Sequence, residues 1–102
     1  MKLLTKELEK RFQKVGRQDE KGMDAIVIAK FFNPGGAGTW FALSYDPKAR
    51  IFFGYVSIFG DACDEFGDFS LEELESVKGQ LGLGIERDLY FKEKPLKECL
   101  EN

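Results

Sequence analysis

Thr39-Trp40-Phe41-Ala42-Leu43-Ser44-Tyr45, followed by Asp46-Pro47-Lys48-Ala49 and then Arg50-Ile51-Phe52-Phe53-Gly54-Tyr55-Val56-Ser57-Ile58-Phe59, is the stretch that decides the fold. Aromatic and β-branched side chains fit a pleated, half-buried surface, and a proline between two such runs presets the φ of a turn. The stretch therefore predicts two antiparallel strands, Thr39 to Tyr45 and Arg50 to Phe59. Upstream, Asn33-Pro34-Gly35-Gly36-Ala37-Gly38 reads as another turn. Behind it, Met23 to Phe32 is apolar on both alternate sets, as an interior strand is. Three strands in succession with short turns make an antiparallel meander. The glycines of the first turn invite a phosphate-loop reading, but Thr39-Trp40-Phe41 follows them instead of Lys-Ser/Thr and a helix, so a hairpin turn is expected.

Outward from the meander, helical signals appear on both sides. Leu4, Leu8, Phe12 and Val15 recur at helical spacing, Thr5 can cap the helix, and Gly16 can end it. Residues 17–22 read as a polar loop and 60–67 as an acidic, irregular segment. Ser70-Leu71-Glu72-Glu73 carries the capping-box pattern, which predicts a helix from Leu71 to about Lys78, ended by Gly79, Gly82 and Gly84. Ile85 to Phe91 alternates as a final strand, and Pro95 to Leu100 is suited to a short last helix. The fold class is thus α+β: an antiparallel sheet of four to five strands, an N-terminal helix, and a capped helix before the last strand, all in one domain over 1–102.

Composition narrows the chemistry. The 102 residues contain no histidine, which removes the usual general base near neutral pH and the commonest transition-metal ligand. Cys63 and Cys99 lie far apart, without the spacing of a redox pair or thiolate cluster. No apolar run approaches the roughly 20 residues of a membrane span, and the N-terminus turns charged too early for a secretory signal. A soluble protein of the reducing cytoplasm is expected, with no cofactor and no membrane association. The net charge of −3 is segregated: residues 1–22 hold seven Lys/Arg against four Asp/Glu, residues 60–88 two against nine. Such a balance makes a general nucleic-acid binder a poor expectation, because counterion release needs clustered cations. Asp61, Asp64, Glu65 and Asp68 lack the spacing of a calcium loop and read as solvated.

Two constellations are candidates for a site. Strand alternation puts Arg87 of Glu86-Arg87-Asp88 on the face of Ile85, Leu89 and Phe91, where a buried guanidinium needs a carboxylate from Glu65, Asp68 or Glu73. The other is aromatic. Alternation along Thr39 to Tyr45 separates Phe41, Leu43 and Tyr45 from Trp40, Ala42 and Ser44, which places Trp40 on the less apolar face. If Lys30 shares that face, the two form a platform for a planar or anionic ligand or a protein partner.

The ordered set Lys30-Phe31-Phe32-Asn33-Pro34, Trp40, Phe53-Gly54, Glu65-Phe66-Gly67-Asp68-Phe69-Ser70, Glu73-Leu74 and Glu86-Arg87-Asp88 resembles an uncharacterised bacterial family, domain of unknown function twenty-nine fifty-eight, from about Leu3 to Leu96. Phe66 and Asp46 depart from its pattern, where an aliphatic residue and a glutamate are more usual. The resemblance implies a protein encoded on plasmids and other mobile elements and implies no activity; its recurring polar positions fall on Lys30, Trp40, Glu65, Glu73, Glu86, Arg87 and Asp88. The expected function is a non-enzymatic binding or accessory module that contacts a protein partner through Lys30, Trp40, Glu65, Glu86, Arg87 and Asp88. The alternatives are a carboxylate enzyme using Glu65 or Glu86 with Arg87 or Lys30, and a nucleic-acid accessory protein.

Overall fold

Thr5 accepts a hydrogen bond from Leu8 N at 3.2 Å and Gly16 adopts φ 75°, so the first helix, α1, runs Lys6–Val15 between the predicted cap and stop. The computed structural model describes residues 2–58, 64–77 and 83–101. Phe59, Asp61, Cys63, Lys78, Gly79 and Gly82, which figure in the sequence reading, lie outside them. After α1 and a 3-10 turn at Gly22–Asp24 come β1 (Ile26–Val27), β2 (Ala29–Phe32), β3 (Thr39–Asp46), β4 (Ile51–Ser57) and β5 (Glu65–Ser70). Then follow α2 (Leu71–Ser76), β6 (Glu86–Arg87), β7 (Lys94–Pro95) and α3 (Leu96–Leu100).

The main sheet is antiparallel in the order β5-β4-β3-β2-β6, and β1 pairs separately with β7. The fold is thus the expected α+β arrangement, with four differences in its parts. The apolar run Met23 to Phe32 is two strands, because it feeds two cores: Ala25 and Val27 join the cluster under α3, whereas Ile28, Ala29 and Phe31 join the one under α1. The acidic segment yields β5, an edge strand whose Phe69 is buried against Phe52, their rings 5.4 Å apart. The strand expected over Ile85 to Phe91 is only Glu86–Arg87, since Asp88 turns the chain, and Leu89 stands 61% exposed off the sheet. Between Ala42 and Ser44 the β3–β4 register slips by one residue. A bulge reverses the alternation beyond it, so Trp40, Ala42 and Tyr45 all reach the α1 core while Phe41 and Leu43 reach the α3 core. Trp40 is therefore on the principal core face, not the less apolar one.

On the α1 side, Phe52 is the hub, with Phe12, Phe31, Tyr45 and Phe69 at ring-centre distances of 4.7 to 5.7 Å. Gly54, beside it on β4, leaves room for the Phe41 carbonyl oxygen, which any Cβ there would strike. The capping pattern is realised in part: the Ser70 hydroxyl accepts from Glu73 N at 2.9 Å at the start of α2. On the opposite side, α3 covers Phe41 and Leu43 with Leu96, whose N–H donates to Ala25 O at 2.8 Å.

Candidate functional site

The sequence-predicted residues divide between both faces and both edges of the main sheet. Lys30 pairs with Phe41 and Trp40 with Phe31 in adjacent register positions. Neighbours along a strand point oppositely, so Lys30 and Trp40 lie on opposite faces and form no common platform. Glu65 is on β5 and Arg87 on β6, the two edge strands. Four interstrand spacings put them roughly 19 Å apart, too far for one to serve a reaction at the other. Arg87 pairs with Phe31 and points to the α1 side, where its Nη1 donates to Lys2 O at 3.0 Å and Leu3 O at 3.2 Å. The guanidinium ties down the N-terminal segment through backbone carbonyls; of the three carboxylates expected beside it, Glu65 and Asp68 are on the far edge strand β5 and Glu73 is in α2, which follows that strand.

Two of the named residues do meet. Asp88 N donates to Lys30 O at 2.9 Å, and the Lys30 Nζ lies 4.0 Å from Asp88 Oδ2. The same carboxylate accepts Tyr90 N at 2.9 Å through Oδ1, an Asx turn that fixes Asp88-Leu89-Tyr90 in shape. Glu86, paired with Phe32, is on the Lys30 side of the sheet.

Around Lys30 and Asp88 opens a groove of about 460 Å³. Phe41, Tyr90 and Phe91 supply aromatic wall, and Lys92, Lys94 and half-buried Cys99 complete it. Glu93, also on its rim, is held away by Arg11, whose Nε and Nη2 each donate to it at 2.8 Å and whose pKa is raised by that bond. Lys92 and Lys94 have no carboxylate within ion-pair distance among the described residues. The groove thus presents more positive charge than its own carboxylates balance. Burial pushes the Cys99 thiol above its ordinary pKa, although Lys94 and Lys30 pull it back. It stays protonated near neutral pH and is a weak nucleophile. No group of three or more His, Cys, Asp and Glu among the described residues is placed to hold a metal.

Tyr90, Lys92 and Lys94 were not singled out in the sequence. Reading Ile85 to Phe91 as one strand made Tyr90 an ordinary sheet residue. The available signal was Asp88, whose side chain favours a local turn, and Lys92-Glu93-Lys94 just before Pro95, a charged segment outside any strand pattern.

The match to the family described as Protein of unknown function (DUF2958) extends over residues 3–101, and the chain belongs to that family. No curated protein and no solved structure matches it. Among the described residues no helix is long and apolar enough to cross a membrane.

Proposed function

We propose that this family member is a binding module that holds an acidic, extended segment of a protein partner in the groove around Lys30. The observation that carries the reading is Tyr90, 93% exposed on a turn locked by Asp88, beside Lys92 and Lys94. A tyrosine ring offers a large contact area with few rotatable bonds. Because the turn is already shaped, little conformational freedom is lost when a partner docks. The lysines attract and orient acidic sequence. The aromatic contact comes from Phe41, Tyr90 and Phe91, in place of the Trp40 surface expected from alternation. Lys92 and Lys94 are two cations close together and not a long basic track, which suits a short acidic protein segment better than the phosphate backbone of nucleic acid. An accessory role on a mobile element, as the family resemblance implies, is compatible with such a module.

Selection of displayed peptides tests this. The native protein should enrich sequences rich in Asp and Glu with an interspersed apolar residue, and their binding should weaken as salt is added. Tyr90→Ala should lower affinity about tenfold or more, in the range of a buried aromatic anchor. The double variant Lys92→Glu, Lys94→Glu should reverse the charge preference of the selected peptides. Selection without acidic bias, or unchanged by charge reversal, rejects the reading. Steeply salt-dependent binding of single-stranded DNA, lost in the same double variant, would replace the protein segment by nucleic acid.

A further inference from the structure

The segment from Asp88 to Glu93 has a second side. There, between α1 and the chain after β6, lies a cleft of about 370 Å³, a size in the range of small-molecule sites. Ile28 and Ala29, only 4% and 3% exposed, form its floor, and Leu8, Leu89 and Phe91 its apolar walls. Arg11 and Arg87 bring two guanidiniums to the same space. Leu89, at 61% exposure, is a large apolar side chain left at the cleft mouth by the turn.

We infer that this cleft binds a small amphiphilic monocarboxylate, its apolar body against Leu8, Ile28 and Leu89 and its carboxylate on the Arg11 fork in exchange for Glu93. The Arg11–Glu93 pair shows the geometry the ligand would adopt, since both fork nitrogens reach carboxylate oxygens at 2.8 Å. The pair is partly exposed, 43% and 32% by side chain. Exposed ion pairs contribute little to stability, so exchanging one carboxylate for another there meets small resistance, and the released Glu93 returns to water. Arg87, which donates to Lys2 O and Leu3 O, also lines the cleft and ties the N-terminal segment to its edge. Glu7 and Asp88 also line the cleft and oppose further negative charge. One ligand carboxylate takes the place of the Glu93 carboxylate on the Arg11 fork, whereas the second carboxylate of a diacid would meet Glu7 and Asp88. Specificity for a single acid group on an apolar chain follows.

Octanoate is a suitable probe, titrated into the full chain and followed by calorimetry and by amide chemical shifts. One saturable site is expected, with the largest shifts in α1 and at residues 87–93, and with octanol bound at least tenfold more weakly. Arg11→Gln should weaken octanoate binding about tenfold. Glu93→Gln, which removes the competing carboxylate, should tighten it severalfold, a gain that mere loss of a structural ion pair does not produce. The Lys92→Glu, Lys94→Glu variant should keep its octanoate affinity, which separates this cleft from the lysine groove. No saturable binding at millimolar octanoate, or weakening by Glu93→Gln, overturns the inference.

Discussion

Gln18 is 1% exposed, yet each end of its amide is used. Its Oε1 accepts Ile26 N at 2.8 Å, and its Nε2 donates to Ile26 O at 2.8 Å and to Leu43 O at 2.6 Å. Its backbone N–H donates to Ser44 Oγ at 3.0 Å. The need arises where β1 leaves the main sheet and β3 bulges, because both departures leave backbone groups without a strand partner. One side-chain amide supplies what the missing ladder would have. Gln18→Ala should therefore expose a buried deficit of three hydrogen bonds and lower stability by about 3 kcal/mol, read as a shift of the urea midpoint at unchanged slope. A loss below about 1 kcal/mol would mean that water replaces the amide without penalty. Nothing local marks this residue. Its partners are 8 and 25 residues away, and within its own segment it is one polar side chain among several.

The elements differ in how far local chemistry specifies them. α1 and α2 were legible because their signals lie within one short window: cap, stripe and stop for the first, with Thr5 and Gly16 at its ends, and for the second the cap, where Ser70 accepts from Glu73 N. Ser70→Ala should cost about 1 kcal/mol, and Ser70→Asp, which keeps a capping oxygen, should retain most of it. Thermal melts of the two variants provide the comparison; equal losses would show that packing of Leu71 and Leu74 alone positions α2. β5 was hidden for a converse reason. Its exposed residues include Glu65 and Asp68, one on each face, and charges on an edge strand protect it from unwanted pairing while resembling a loop in sequence. The last strand was overextended because alternation continues past Asp88 even though the backbone turns there.

On the scale of the whole molecule, the sheet carries a core on each face, Phe12-Phe31-Phe52 under α1 and Val27-Leu43-Leu96 under α3. If the two form one cooperative unit, damage to either must be felt in both. Leu96→Ala removes a fully buried side chain on the α3 side and should cost about 2 to 5 kcal/mol. Trp40, the one tryptophan, reports from the α1 side. Its fluorescence transition should shift together with the far-ultraviolet circular dichroism; separate transitions would show that the two cores unfold independently. The sequence by itself determined the α+β class, the hairpins of the meander and both capped helices. These rest on short-range patterns of turn chemistry, capping and alternation. Tertiary structure alone decided that the aromatic beside Lys30 is Phe41, that Glu65 and Arg87 stand on opposite edges, and that Tyr90 projects beside Lys92 and Lys94. The reason is physical: one bulge residue reverses every face beyond it, and strand order sets distances that no spacing along the chain records.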